Sequence, residues 1–148
     1  MIRRLLNIHR DCAGVSAVEF ALVAPLLLGM LVGTAQFGLT LNNYVMLTEG
    51  SIDGARQLAL SRGSASPYTN TISAVQNAAS NLTAANITIT MTVNSTACNS
   101  DATCQTALNS ASGTAGAVTA SYACNLVVMG VDYAPGCTLT STTTEMIE

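Results

Sequence analysis

Between Phe20 and Leu41 the chain reads FALVAPLLLGMLVGTAQFGLTL, 22 residues with only Thr34, Gln36 and Thr40 as polar interruptions. As a helix this run is about 33 Å long, enough to cross a hydrocarbon core of about 30 Å. Arg3, Arg4 and Arg10 all lie before it. The positive-inside rule therefore places the N-terminus in the cytoplasm and everything after the run outside. The run is too long for an ordinary secretory signal, whose apolar stretch is about 7–15 residues. It is also followed by Asn42, Asn43 and Tyr44, which continue a helical pattern. The reading is a single helix from about Ser16 to Ser61, membrane-spanning at about 20–41.

Past the span, Tyr44, Val45, Leu47, Ile52, Ala55, Leu58 and Ala59 recur at spacings that suit an amphipathic helix. Gly50 and Gly54 weaken it locally, and Gly63-Ser-Ala-Ser-Pro67 ends it. The chain then divides into a basic leader (1–14), a long helix (15–62) and an extracytoplasmic head (63–148).

The head has its own chemistry. From Ser64 onward, 34 of 85 residues are Ser, Thr or Asn, and only Asp101, Asp132, Glu145 and Glu148 are charged. Thr69 to Leu82 carries apolar residues at helical spacing. Asn86 to Val93 alternates with period two, the clearest strand signal of the chain. Ala117–Tyr122 and Leu139–Met146 suit further strands, with a short one at Leu126–Val131. The fold class is α+β: a long N-terminal membrane-spanning helix, then a small disulfide-stapled head with a short helix and an antiparallel sheet.

Charge and cysteine usage narrow the function. There is no lysine, and no arginine follows Arg62, so the head offers no phosphate-binding surface and no nucleic acid is expected there. The one histidine is His9. Without it the chain has no imidazole for nucleophilic or zinc chemistry. No enzyme activity, cofactor or metal site is expected. Of five cysteines, Cys12 lies on the leader side, while Cys98, Cys104, Cys124 and Cys137 belong to the head. Four cysteines in a small exported domain suggest two disulfides, with three possible connectivities. The local pairs Cys98–Cys104 and Cys124–Cys137 are favoured, each stapling a loop short of apolar residues. The stretch Cys98-Asn-Ser-Asp-Ala-Thr-Cys104 reads as a polar loop, in which Asp101 alone makes a poor calcium ligand set.

The most informative stretch is Ala13-Gly14-Val15-Ser16-Ala17-Val18-Glu19-Phe20. It sets a carboxylate just inside a spanning helix, where charge is expensive. If the chain is cut after Gly14, Val15 becomes a free ammonium and Glu19 the fifth residue of a new helix. The ammonium of one helix then pairs with the carboxylate of a neighbour, which orders helix stacking in an apolar setting. Gly29-Met-Leu-Val-Gly33 is a GxxxG pattern that allows close helix approach, and Pro25 removes a backbone donor beside it.

A basic leader, glycine, four residues, glutamate, an aromatic and an unbroken apolar helix resemble the class III signal of type IV pilins and pseudopilins. The segment from Gly14 to Leu28, with Pro25, is closest to TadE-like proteins of tight-adherence (Flp) pilus systems. Gln36-Phe37-Gly38 and Gly54-Ala55-Arg56 also sit where that family has a polar or acidic residue, Phe-Gly, and an Ala-Arg pair. The resemblance implies that Gly14 and Val15 flank the cut made by a prepilin peptidase, and that Glu19, followed by Phe20, is the assembly carboxylate. It implies as partners other pilin or pseudopilin subunits, an inner-membrane assembly platform and membrane lipid. A head of about 85 residues points to a minor pseudopilin rather than a major subunit. The competing reading is an unprocessed bitopic envelope protein whose head scaffolds an export machine.

Overall fold

The computed structural model describes residues 12–124, 126–128 and 130–148. The leader, apart from its last three residues, lies outside the described residues. Helix α1 runs from Cys12 to Ala59, through Pro25, as 48 continuous residues, about 72 Å long. It begins earlier than the expected Ser16. Its first half is exposed, while Leu47, Gly50, Ser51, Gly54, Ala55, Leu58 and Ala59 form a buried stripe at spacings of three and four. Tyr44, Val45 and Ile52, expected on that stripe, are exposed. The helix instead buries its smallest residues, because another helix lies directly against them.

The chain reverses at Gly63, whose φ of +77° is natural to glycine. Helix α2 (Pro67–Ala78) follows, with its proline in the first turn where no N–H is needed. It stops before the expected Leu82, although Leu82 is itself buried. A 3₁₀ turn (Ala84–Asn86) leads into β1 (Ile87–Val93). Asn94 and Ser95, with φ of 47° and 64°, make the two-residue turn to β2 (Thr96–Ala97). Helix α3 (Asp101–Asn109) then replaces the expected polar loop. The Ser100 hydroxyl accepts the Thr103 N–H, and the Thr103 hydroxyl accepts the Ser100 N–H at 3.0 Å. This reciprocal cap starts a helix that the polar composition conceals.

Strands β3 (Ala115–Ala123) and β6 (Thr138–Met146) complete a four-stranded antiparallel sheet in the order β2-β1-β3-β6. Its register pairs Thr90 with Thr119 and Thr119 with Thr142. Hydroxyl side chains therefore line the outer face in rows, and Thr119 and Thr142 share a hydrogen bond of 2.8 Å. The inner face carries Met91, Val93, Gly116, Val118, Ala120 and Ser141, all buried, with β3 and β6 packed on α1 and β1 beside α3. Between Cys124 and Cys137, where one short strand is expected, the chain forms a small hairpin of β4 (Val127–Val128) and β5 (Val131–Asp132). Both local disulfides are present, with Cα–Cα distances of 4.8 Å for Cys98–Cys104 and 5.3 Å for Cys124–Cys137.

Candidate functional site: the bare helix and its junction with the head

The residues singled out by the sequence lie on the uncovered half of α1. Gly14 and Val15 sit in its first turns, and Glu19 and Phe20 one turn on, all exposed. Val15 and Glu19 are four residues apart and share a face of the helix. Around them the surface is apolar: Phe20 is 70% exposed and Leu22 76%. Pro25 is exposed as well. Among the described residues a side chain at Gly29 or Gly33 would meet nothing within 4 Å, so there is room for a second helix to approach.

A second Gly-x-x-x-Gly, Gly50-Ser-Ile-Asp-Gly54, does make a close helix contact. A Cβ at Gly50 would come within 3.0 Å of the Val75 carbonyl oxygen and 3.3 Å of Ala79 Cβ. One at Gly54 would strike Val75 Cγ2 and lie 3.3 Å from Val118 Cγ1. Their lack of side chains lets α2 and β3 settle onto α1. The sequence carries this signal in the spacing, but composition makes the two glycines look like weak points of the helix.

Between the glycines, Ser51 fastens the sheet. It is fully buried, donates to the Thr48 carbonyl at 2.8 Å, and lies 2.9 Å from the hydroxyls of both Ser141 and Thr143. A polar bond in a dry interface holds orientation, because any displacement leaves a buried hydroxyl without a partner. At the other side of the head, Asp101 links α3 to α2. Its Oδ1 accepts the Thr69 N–H at 3.0 Å and its Oδ2 the Thr69 hydroxyl at 2.7 Å. These bonds, the backbone one first, hold the Asp101 carboxyl below its ordinary value of 3.8. Its work is structural, which accounts for a carboxylate that spacing alone leaves unassigned. Among the described residues no three His, Cys, Asp or Glu side chains converge as a metal site would require.

What the described residues offer is a long helix with an exposed apolar half and a small head packed on its other half. Residues 14–56 of the chain match the family model described as TadE-like protein. This segment is similar to TadE-like proteins. The match covers less than a third of the sequence, yet it includes Gly14, Val15 and Glu19 at one end and Gly50, Gly54 and Arg56 at the other. The family segment thus takes in both the bare half of α1 and the surface on which the head sits. TadE-like proteins are structural, pilus-associated proteins of the tight-adherence system, and the long apolar helix suits a membrane anchor. Comparison with curated proteins and with solved structures returns no match.

Proposed function

We propose that this TadE-like protein is a minor pilin, or pseudopilin, that serves the assembly or the tip of a tight-adherence pilus. A prepilin peptidase cuts it between Gly14 and Val15, and α1 holds it in the inner membrane, N-terminus in the cytoplasm, until it joins other subunits at the assembly platform. The observation that carries this reading is the bare surface of α1. From Val15 to Leu41 the helix presents one exposed apolar side chain after another, with a single carboxylate, Glu19, near its start. Such a surface needs lipid or other helices around it. Once the leader is gone, the ammonium at Val15 and the Glu19 carboxylate of a neighbouring helix are complementary. Each is costly in an apolar bundle unless it is paired.

Removing residues 1–14 takes three arginines and one aspartate, so the formal charge moves from −3 to −5. Intact mass and N-terminal sequencing of protein from membranes, with and without the peptidase, test the reading. Val15 should be the first residue only where the peptidase is present. A chain that stays full length in a peptidase-positive host overturns processing and leaves an unprocessed bitopic scaffold.

A further inference from the structure

The loop between Cys124 and Cys137 is chemically unlike the rest of the head. It contains Leu126-Val-Val-Met-Gly-Val131, six apolar residues in succession within an otherwise hydroxyl- and amide-rich domain. None of those that the structure describes is buried in the hairpin. Val127 is 42% exposed, Val131 55% and Tyr133 66%. The hairpin instead lies alongside α1, where Val128 and Tyr133 line an open groove of about 390 Å³ together with Pro25, Leu26, Gly29 and Met30. Its apolar surface is continuous with the bare surface of the helix.

We infer that the β4–β5 hairpin is a second membrane contact, seated among the lipids of the outer leaflet, and that it sets the depth at which α1 is held. This rests on the reading of α1 as membrane-spanning. The chemistry of the hairpin limits its depth. Its strands are two residues each, and so short a ladder does not suit the hydrocarbon interior, where every backbone group needs a partner within the protein. Asp132 carries a charge, with Oδ1 accepting the Ala134 N–H at 3.0 Å, and a carboxylate is costly there too. The hairpin therefore belongs in the interfacial zone, about 5–10 Å into the headgroup and acyl boundary, where tyrosine is favoured. Because the groove is level with Pro25–Met30, the outer boundary of the hydrocarbon falls near Thr34 rather than Leu41. The span then covers roughly Val15 to Thr34, about 30 Å of helix. Gln36, Thr40, Asn42 and Asn43 come out of hydrocarbon altogether.

The chain contains no tryptophan, so one introduced residue reports on its own surroundings. The experiment uses the full chain in phospholipid vesicles, with Tyr133→Trp as the reporter. Emission is quenched either by lipids brominated on their acyl chains or by aqueous acrylamide. Leu28→Trp reports on the span and Leu60→Trp on the top of the head. Val131→Trp serves as a second hairpin reporter should Tyr133→Trp misfold, as judged by alkylation of Cys124 and Cys137. The hairpin reporters should be blue-shifted and lose most of their emission to bromolipid, as Leu28→Trp does, while Leu60→Trp responds to acrylamide alone. If both hairpin reporters behave like Leu60→Trp while Leu28→Trp is quenched by lipid, the inference fails and the membrane reading stands. If Leu28→Trp also ignores bromolipid, the membrane reading fails and takes the inference with it. Hairpin reporters shielded from both quenchers would place protein, such as a second copy, on this surface and would equally overturn it.

Discussion

Replacing Gly54 by alanine adds one methyl group where α1, α2 and β3 meet. Two effects oppose each other there. Alanine in place of glycine inside a helix is worth up to about 1 kcal/mol. Against that, the new methyl strikes Val75 Cγ2 and crowds Val118 Cγ1, and forcing an extra carbon into a packed contact costs about 1–3 kcal/mol. Val75 and Val118 are both 0% exposed, so neither can swing into solvent to relieve the contact. The contact wins, and Gly54→Ala should destabilise the head by about 1–2 kcal/mol. With a urea slope of about 1–3 kcal/mol per molar for a small domain, the unfolding midpoint should fall by roughly 1 M. Pulse proteolysis across a urea series reads this on the full chain in detergent with disulfides intact. Gly33→Ala is the matched control: it makes the same exchange in the same helix with open space around it, and the head midpoint should not move. Val75→Ala alone should lose about 2 kcal/mol of packing. In the double variant the two methyl changes share one space, so the losses should fall short of their sum by about 1–2 kcal/mol. A Gly54→Ala midpoint at or above wild type, or strict additivity with Val75→Ala, would refute the close-contact argument.

Three further outcomes follow from the same geometry. Ser51→Ala leaves the Ser141 and Thr143 hydroxyls without their shared partner; it should cost about 1–3 kcal/mol in the same assay, part of which Ser141→Ala restores. The Asp101 carboxyl is held below its ordinary value of 3.8, so as pH falls the unfolded chain takes up this proton first. Its contribution is therefore complete above that value and is lost as pH falls through the lower folded one; protection of the Thr69 amide should drop over that window, and Asp101→Asn should abolish the drop. Under the proposed function, Glu19→Ala and Glu19→Gln should both reach mature length in the membrane yet be missing from sheared fibres, since an unpaired buried ammonium costs about 3–5 kcal/mol. Wild-type incorporation of either variant would remove Glu19 from assembly.

Much of this architecture is legible in the sequence because each signal is local. The apolar run ending at Leu41, the alternation of Asn86–Val93 and the short spacing of the cysteine pairs each report on one element. What escapes is decided by another element. Tyr44, Val45 and Ile52 have the right period for the buried stripe, yet the stripe goes to Gly50, Ser51 and Gly54 because α2 needs the space. Helix α3 escapes because its capping pair, Ser100 and Thr103, is indistinguishable by composition from a polar loop. Gly29-x-x-x-Gly33 and Gly50-x-x-x-Gly54 carry one signature. Among the described residues only the second meets a partner, and the glycine spacing alone does not tell them apart.

The bond between Ser51 and Ser141 joins residues 90 apart in the chain, which imposes an order on folding. The cysteine pairs span separations of only 6 and 13. Closing a loop of 90 residues rather than 13 costs about 2 kcal/mol more in chain entropy. At synthesis rates of about 5–20 residues per second, β6 also leaves the ribosome on the order of ten seconds after Ser51. The contact of α1 with α2 and the two short loops can therefore form early, while the sheet waits for its final long strand. During that wait β3 presents the edge that β6 will occupy, lined by residues that favour extended pairing. An open edge of this kind accepts any extended chain nearby. The yield of correctly folded head therefore depends on how soon β6 reaches β3 relative to a competing strand.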